Sequence, residues 1–139
     1  MKAPLTILLV ISNISMTFGQ ELALNDVHIG KPYTIVDEPA QFPGGVYKMH
    51  DFLRKEMNYP EEALKENVSG RVFVQYIVEK DGSLTNIQVV KKLGFGLDEE
   101  AIRLYASMPK WTPGKIDSKP VRQLMIFYVL FEKEFGNSN

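Results

Sequence analysis

The run Gly70-Arg71-Val72-Phe73-Val74-Gln75-Tyr76-Ile77-Val78-Glu79 is rich in β-branched and aromatic side chains, with Val72, Val74, Tyr76 and Val78 at every second position. A period of two in such residue types predicts a strand with one buried face. Asp81-Gly82 follows, a pair able to take positive φ, and Leu84, Ile87, Val89 and Val90 then resume the apolar pattern. Two such runs joined by such a turn predict an antiparallel hairpin.

Toward the C-terminus, Gly94 to Gly96 ends the second strand, and Asp98 is expected to cap a helix in which Ala101, Ile102, Tyr105 and Met108 share a face. Pro109 stops that helix, and Trp111, Thr112 and Pro113 close the unit. Trp111, just after a helix, is expected to be a core residue rather than a contact residue. Val121 to Phe131, reading Val-Arg-Gln-Leu-Met-Ile-Phe-Tyr-Val-Leu-Phe, is the longest strand candidate.

Toward the N-terminus, Tyr59-Pro60 opens a short helix to about Asn67, since proline lacks the donor that a first helical turn leaves unused and Glu61 and Glu62 suit the positive end of the dipole. Before it, Val46, Met49, Leu53 and Met57 recur at helical spacing with Phe52 beside them, predicting an amphipathic helix over 46–57. Gln20 to Gly45 carries Pro32, Pro39, Pro43, Gly30, Gly44 and Gly45 and reads as an extended lead-in, with a short strand at Tyr33 to Val36. From Pro60 the order is helix, strand, strand, helix, strand: an α+β class with an antiparallel sheet.

The first residues have a pattern of their own. Met1-Lys2 is charged, Ala3 to Ile11 is a short apolar core, and the small residues Thr17 and Gly19 follow. This order predicts a secretory signal peptide cleaved after Gly19, leaving Gln20 first. An uncleaved inner-membrane anchor is the alternative, but Ser12, Asn13 and Ser15 interrupt the run well short of the roughly 20 apolar residues that a spanning helix needs. The chain has no cysteine, so no lipid attachment site follows the apolar core.

With 16 basic and 17 acidic side chains scattered along the chain, there is no clustered positive excess of the kind that phosphate contacts demand. A nucleic-acid partner is therefore not expected. No metal site is expected either, because His28 and His50 are few and far apart; both are read as surface residues. No cofactor is implied. Neither a His-Glu-x-x-His nor a Gly-x-Ser-x-Gly pattern occurs. The carboxylates Asp98-Glu99-Glu100 are accounted for by a helix start, so an enzyme is not expected. Asn67-Val68-Ser69 matches a glycosylation triplet and carries no weight.

The joints of this pattern, in order, are Tyr59-Pro60, Gly70 before an alternating strand, Asp81-Gly82, Leu97-Asp98 with Ala101, Trp111 with Pro113, and the last strand. Together they resemble the TonB C-terminal domain over about residues 57–133. The lead-in from Asp37 to Gly45 is similar to the stretch that precedes such domains in many envelope proteins. The chain so divides into a signal peptide (1–19), an N-terminal extension with an amphipathic helix (20–56), the TonB-like domain (57–133) and a tail (134–139).

The resemblance implies a three-stranded antiparallel sheet with two helices on one face, whose last strand takes up a short extended peptide, the TonB box of an outer-membrane transporter. Gln123, Leu124, Met125, Ile126, Phe127, Tyr128 and Val129 would form that edge, and Glu56, Met57, Asn58 and Tyr59 a second contact near the Tyr-Pro segment. The expected role is periplasmic, in energy-coupled transport. Its alternative is a structural or regulatory envelope domain without a transport role, and a second copy of the chain, forming a homodimer, is the other occupant expected at the last strand. Full-length transducers carry an inner-membrane helix and a proline-rich spacer, and neither is evident here.

Overall fold

A computed structural model describes residues 30–133. Every element below lies within the unit Lys31–Asn139. The signal-peptide reading, His28 and the C-terminal tail fall outside the described residues.

The elements are helix α1 (Val46–Glu56), helix α2 (Glu61–Lys65), strands β1 (Gly70–Val78) and β2 (Leu84–Lys91), helix α3 (Leu97–Ala106), and strands β3 (Gly114–Ile116), β4 (Lys119–Val121) and β5 (Gln123–Phe131). β1 is the middle strand of a three-stranded antiparallel sheet in the order β2-β1-β5. Its alternation does what the sequence implies: Val72, Val74, Tyr76 and Val78 are fully buried on one face. That face is covered by one core, to which α1 contributes Met49 and Leu53, α2 contributes Ala63, and α3 contributes Leu97, Ala101, Leu104 and Tyr105. The α+β class and the three-stranded sheet are as expected.

The two neighbours of β1 differ. β5 pairs with it continuously, from Gly70 opposite Phe131 to Val78 opposite Gln123. β2 pairs with two irregularities and carries Asn86 at φ 49. Bulges bend and twist a strand, so β2 makes an interrupted edge and β5 a regular one.

Four local expectations are corrected. Asp98 is not the cap of α3: Gly96 holds that position with left-handed backbone, and the buried Asp98 carboxylate accepts the N–H groups of Leu93 (2.9 Å) and Gly94 (2.8 Å), closing the loop that enters the helix. Ile102 lies on the exposed side of α3, and Leu104 takes the buried place beside Tyr105. The segment 121–131 is not one strand. Val121 belongs to the small β3-β4 hairpin, turned at Asp117 and Ser118, both at positive φ, and Arg122 separates it from β5. Finally, Tyr33 to Val36 forms no strand of its own but a single parallel bridge from Tyr33 to Gln123.

The run divides because Val121 pairs with Gly114 of β3 while Gln123 pairs with Val78 of β1; Arg122, between them, accepts the Tyr33 N–H at its carbonyl and gives its side chain to Glu79. Arg122 donates from Nε to Oε2 of Glu79 at 2.7 Å, and Glu79 is wholly buried. This pair joins the end of β1 to the start of β5. Buried charges need such partners, and Thr85 adds a hydroxyl donor to Glu79.

Candidate functional site

The outer edge of β5 is the regular free edge of the sheet. The N–H and C=O of one strand residue point to the same side, and successive residues point to opposite sides. The bridge at Tyr33 sets the phase: Tyr33 N donates to Arg122 O at 2.8 Å and Leu124 N donates to Tyr33 O at 2.9 Å, both away from β1. Ile126, Tyr128 and Leu130 therefore turn their peptide groups outward as well, while Gln123, Met125, Phe127 and Val129 turn theirs to β1. Among the described residues no other backbone bond reaches the outward groups beyond Leu124.

Side chains alternate in the same phase. Gln123, Met125, Phe127 and Val129 lie on the helix-covered face with Val78, Tyr76, Val74 and Val72 opposite them, whereas Leu124, Ile126 and Tyr128 lie on the other face. Ile126 is 54% exposed. Phe127 and Tyr128 stack with ring centroids 4.9 Å apart, and the ring of His50, exposed on α1, is tilted to both with centroids 5.6 and 6.4 Å away. On the far face Tyr128 receives the Arg71 guanidinium 4.6 Å from its centroid. Such a contact is worth about 0.5–1 kcal/mol at an exposed site.

Gln123 is buried and occupied: its Oε1 accepts the Ala40 N–H at 2.8 Å. Of the seven β5 positions expected to touch a partner, then, Gln123 and Val129 are enclosed, Leu124 already bonds to the lead-in, and Ile126 and Tyr128 offer outward peptide groups. Leu130, which the sequence reading left out, shares their phase.

The second expected group is tied down. Glu56 ends α1, and its carbonyl accepts Arg103 Nη2 at 2.7 Å. Met57 packs against the core. The Asn58 N–H donates to Glu100 Oε1 at 2.8 Å. Tyr59 donates its hydroxyl to the Val68 carbonyl and sets its ring edge-on to Phe131 at 5.8 Å; burial pushes its pKa up. The structure thus joins the two groups at the Phe131 end of β5, with Glu56 to Tyr59 acting there as a strap between α3 and the strand.

Behind β5, on the helix side, lies a cavity of about 270 Å³ between the lead-in, α1 and the sheet. Tyr76 and Trp111 reach it from the core, and nothing in the local sequence signals it, because it arises where segments 40–49, 76, 111 and 125–127 converge. Trp111 is buried, as expected.

Comparison with curated proteins finds no match. A family model described as the Gram-negative bacterial TonB protein C-terminal matches residues 55–132, more than half of the 139-residue chain. The match begins at the Glu56–Tyr59 strap and runs through the hairpin and α3 to the end of β5, so that the chain belongs to the family of TonB C-terminal domains.

Proposed function

We propose that this domain takes up an extended peptide from an outer-membrane transporter along the outer edge of β5, in the energy-coupled transport of a Gram-negative envelope. One observation carries the reading: β5 is an unbroken strand whose outward peptide groups at Ile126, Tyr128 and Leu130 meet no backbone partner among the described residues. A strand edge of this kind binds an extended chain mainly through main-chain hydrogen bonds, with alternate side chains adding selectivity. Membership in a family of protein-interaction domains supports the reading. Such a task needs no catalytic group.

Export follows the reading of residues 1–19 as a signal peptide, which would place Gln20 first in the periplasmic protein. Among the described residues no helix is long and apolar enough to cross a membrane.

The test is titration of the isotope-labelled domain with a peptide from the periplasmic N-terminus of an outer-membrane transporter. Saturable shifts at the Ile126, Tyr128 and Leu130 amides are expected. Shifts confined to other residues, or self-association through β5 that the peptide does not displace, would refute the transporter reading. A structural envelope role would then take its place.

A further inference from the structure

β5 fixes where the side chains of a captured chain must go. Residues opposite one another in neighbouring strands point to the same face. A residue of the captured chain opposite Phe127 therefore turns its side chain to the helix-covered face, where Phe127 itself lies. On that face is the cavity of about 270 Å³: Met125 and Phe127 form its strand wall, Val46 and Met49 of α1 its helix wall, and Gln41 and Phe42 bring the lead-in to it.

Two observations place the opening of this space beside the edge. Val46 lines it and is 47% exposed, so the space meets solvent along α1. His50, one turn further along the helix, is exposed and sets its ring 5.6 Å from Phe127 and 6.4 Å from Tyr128. That flank of α1 thus reaches the stretch of β5 whose outward peptide groups would hold the partner.

The lining is apolar in its chemistry. No charged residue is among the described residues that line it. The Tyr76 hydroxyl and the Trp111 indole N–H are enclosed in the core and do not face the space, so both rings present carbon to it. Gln41, an exposed residue, is the polar member of the lining. A charged side chain entering here would lose its water without gaining a partner, whereas an apolar one gains burial. Room is sufficient, since ~150 Å³ of apolar cavity holds benzene.

We propose that α1 and the lead-in form a wall of the capture site, and that the partner is an extended chain with an apolar side chain opposite Phe127, laid between β5 and Val46. The family match begins at residue 55, so this wall is built by residues ahead of it. The proposal rests on strand capture at β5 and is tested apart from it.

The test uses the isotope-labelled domain, its methionine methyl groups included, with the transporter peptide as titrant. The Met49 and Met125 methyl signals are expected to shift with the same midpoint as the Ile126 and Tyr128 amides. Val46→Asp sets a charge at the opening; the first turn of α1 has no acidic residue, and a carboxylate there suits the dipole, so the fold should hold. It should weaken the peptide roughly tenfold or more, the equivalent of one aliphatic side chain left unburied. The peptide residue in question is the one whose replacement by serine silences the two methyl shifts. That replacement should cost as much in wild type and little further in Val46→Asp, because losses from groups in contact do not add. Val46→Thr, with the same pattern at smaller size, takes the place of the aspartate variant should a melting curve show the latter unfolded.

Shifts at the Ile126 and Tyr128 amides with both methyl groups silent, or losses that add in full in the double variant, overturn the wall and leave strand capture standing. Absence of any response at those amides overturns strand capture, and the apolar occupant with it.

Discussion

A methyl group added to Gly82 would stand 2.0 Å from the Trp111 carbonyl oxygen, and its φ of +87° is one that side chains resist. The clash comes from a backbone contact: Trp111 N donates to Gly82 O at 2.8 Å, drawing the loop after α3 onto the β1-β2 turn. Left-handed backbone alone costs a non-glycine residue about 1–2 kcal/mol, and the clash adds to it. Gly82→Ala should lower stability by at least about 2 kcal/mol, a loss that denaturant titration would resolve. Its neighbour Asp81 acts through charge. The Asp81 carboxylate accepts the Ser83 N–H and hydroxyl, and these bonds hold its pKa below the ordinary 3.8, with Lys110 adding to the effect. A lowered carboxyl pKa stabilises the fold fully above the unfolded value, and that contribution fades as pH falls through the folded value. Asp81→Asn should therefore be less stable than wild type at pH 6, and the gap should close below about pH 3.8. The two melts, compared across pH, check it.

β5 is at once a ladder strand and an edge. Proline deletes one N–H, so its effect depends on which way that group points. The phase set by Leu124 and Tyr33 turns Ile126 outward and Met125 toward β1. Ile126→Pro should keep the fold and lose peptide affinity, each missing bond being worth roughly 0.5–1.5 kcal/mol. Met125→Pro should damage folding. Thermal melts and peptide titrations of the pair decide the matter, and two folded variants with normal binding would count against β5 as the binding edge. The lead-in belongs to the same element in effect, since Tyr33 occupies the first outward step of this edge. Tyr33→Pro removes the donor to Arg122 O and should loosen that step, read as faster hydrogen exchange at Leu124 with little change in the melt.

At the scale of the molecule, Trp111 is where separate parts meet. Its ring lies edge-on to Phe42 of the lead-in at 6.0 Å and to Tyr76 of β1 at 5.4 Å, and its backbone holds the Gly82 turn. Trp111→Ala should cost about 3–5 kcal/mol, a large share of the 5–15 kcal/mol that holds an ordinary domain folded. A variant that melts like wild type but loses peptide would move the ring from the core to the interface. What could be read along the chain was whatever repeats locally. Val72 to Val78 alternate with period two, Met49 and Leu53 recur at helical spacing, and Asp81-Gly82 supplies a turn, so the class and the succession of α1, α2, β1, β2 and α3 followed from residue order alone, while the β3-β4 hairpin and the central place of β1 did not. Side-chain period and backbone sterics act between near neighbours and need no tertiary partner. The rest depended on groups distant in sequence. The division of the run 121–131 needed β3, whose Gly114 pairs with Val121, and the Tyr33 N–H, which donates to the Arg122 carbonyl. The same holds for the site: that β5 is an edge was implied by family likeness, but which of its peptide groups face outward was decided by one bond from Tyr33, and the cavity by Tyr76 and Trp111 meeting β5 and α1. A strand's alternation is local, whereas its phase relative to a partner is set only when the chain closes on itself.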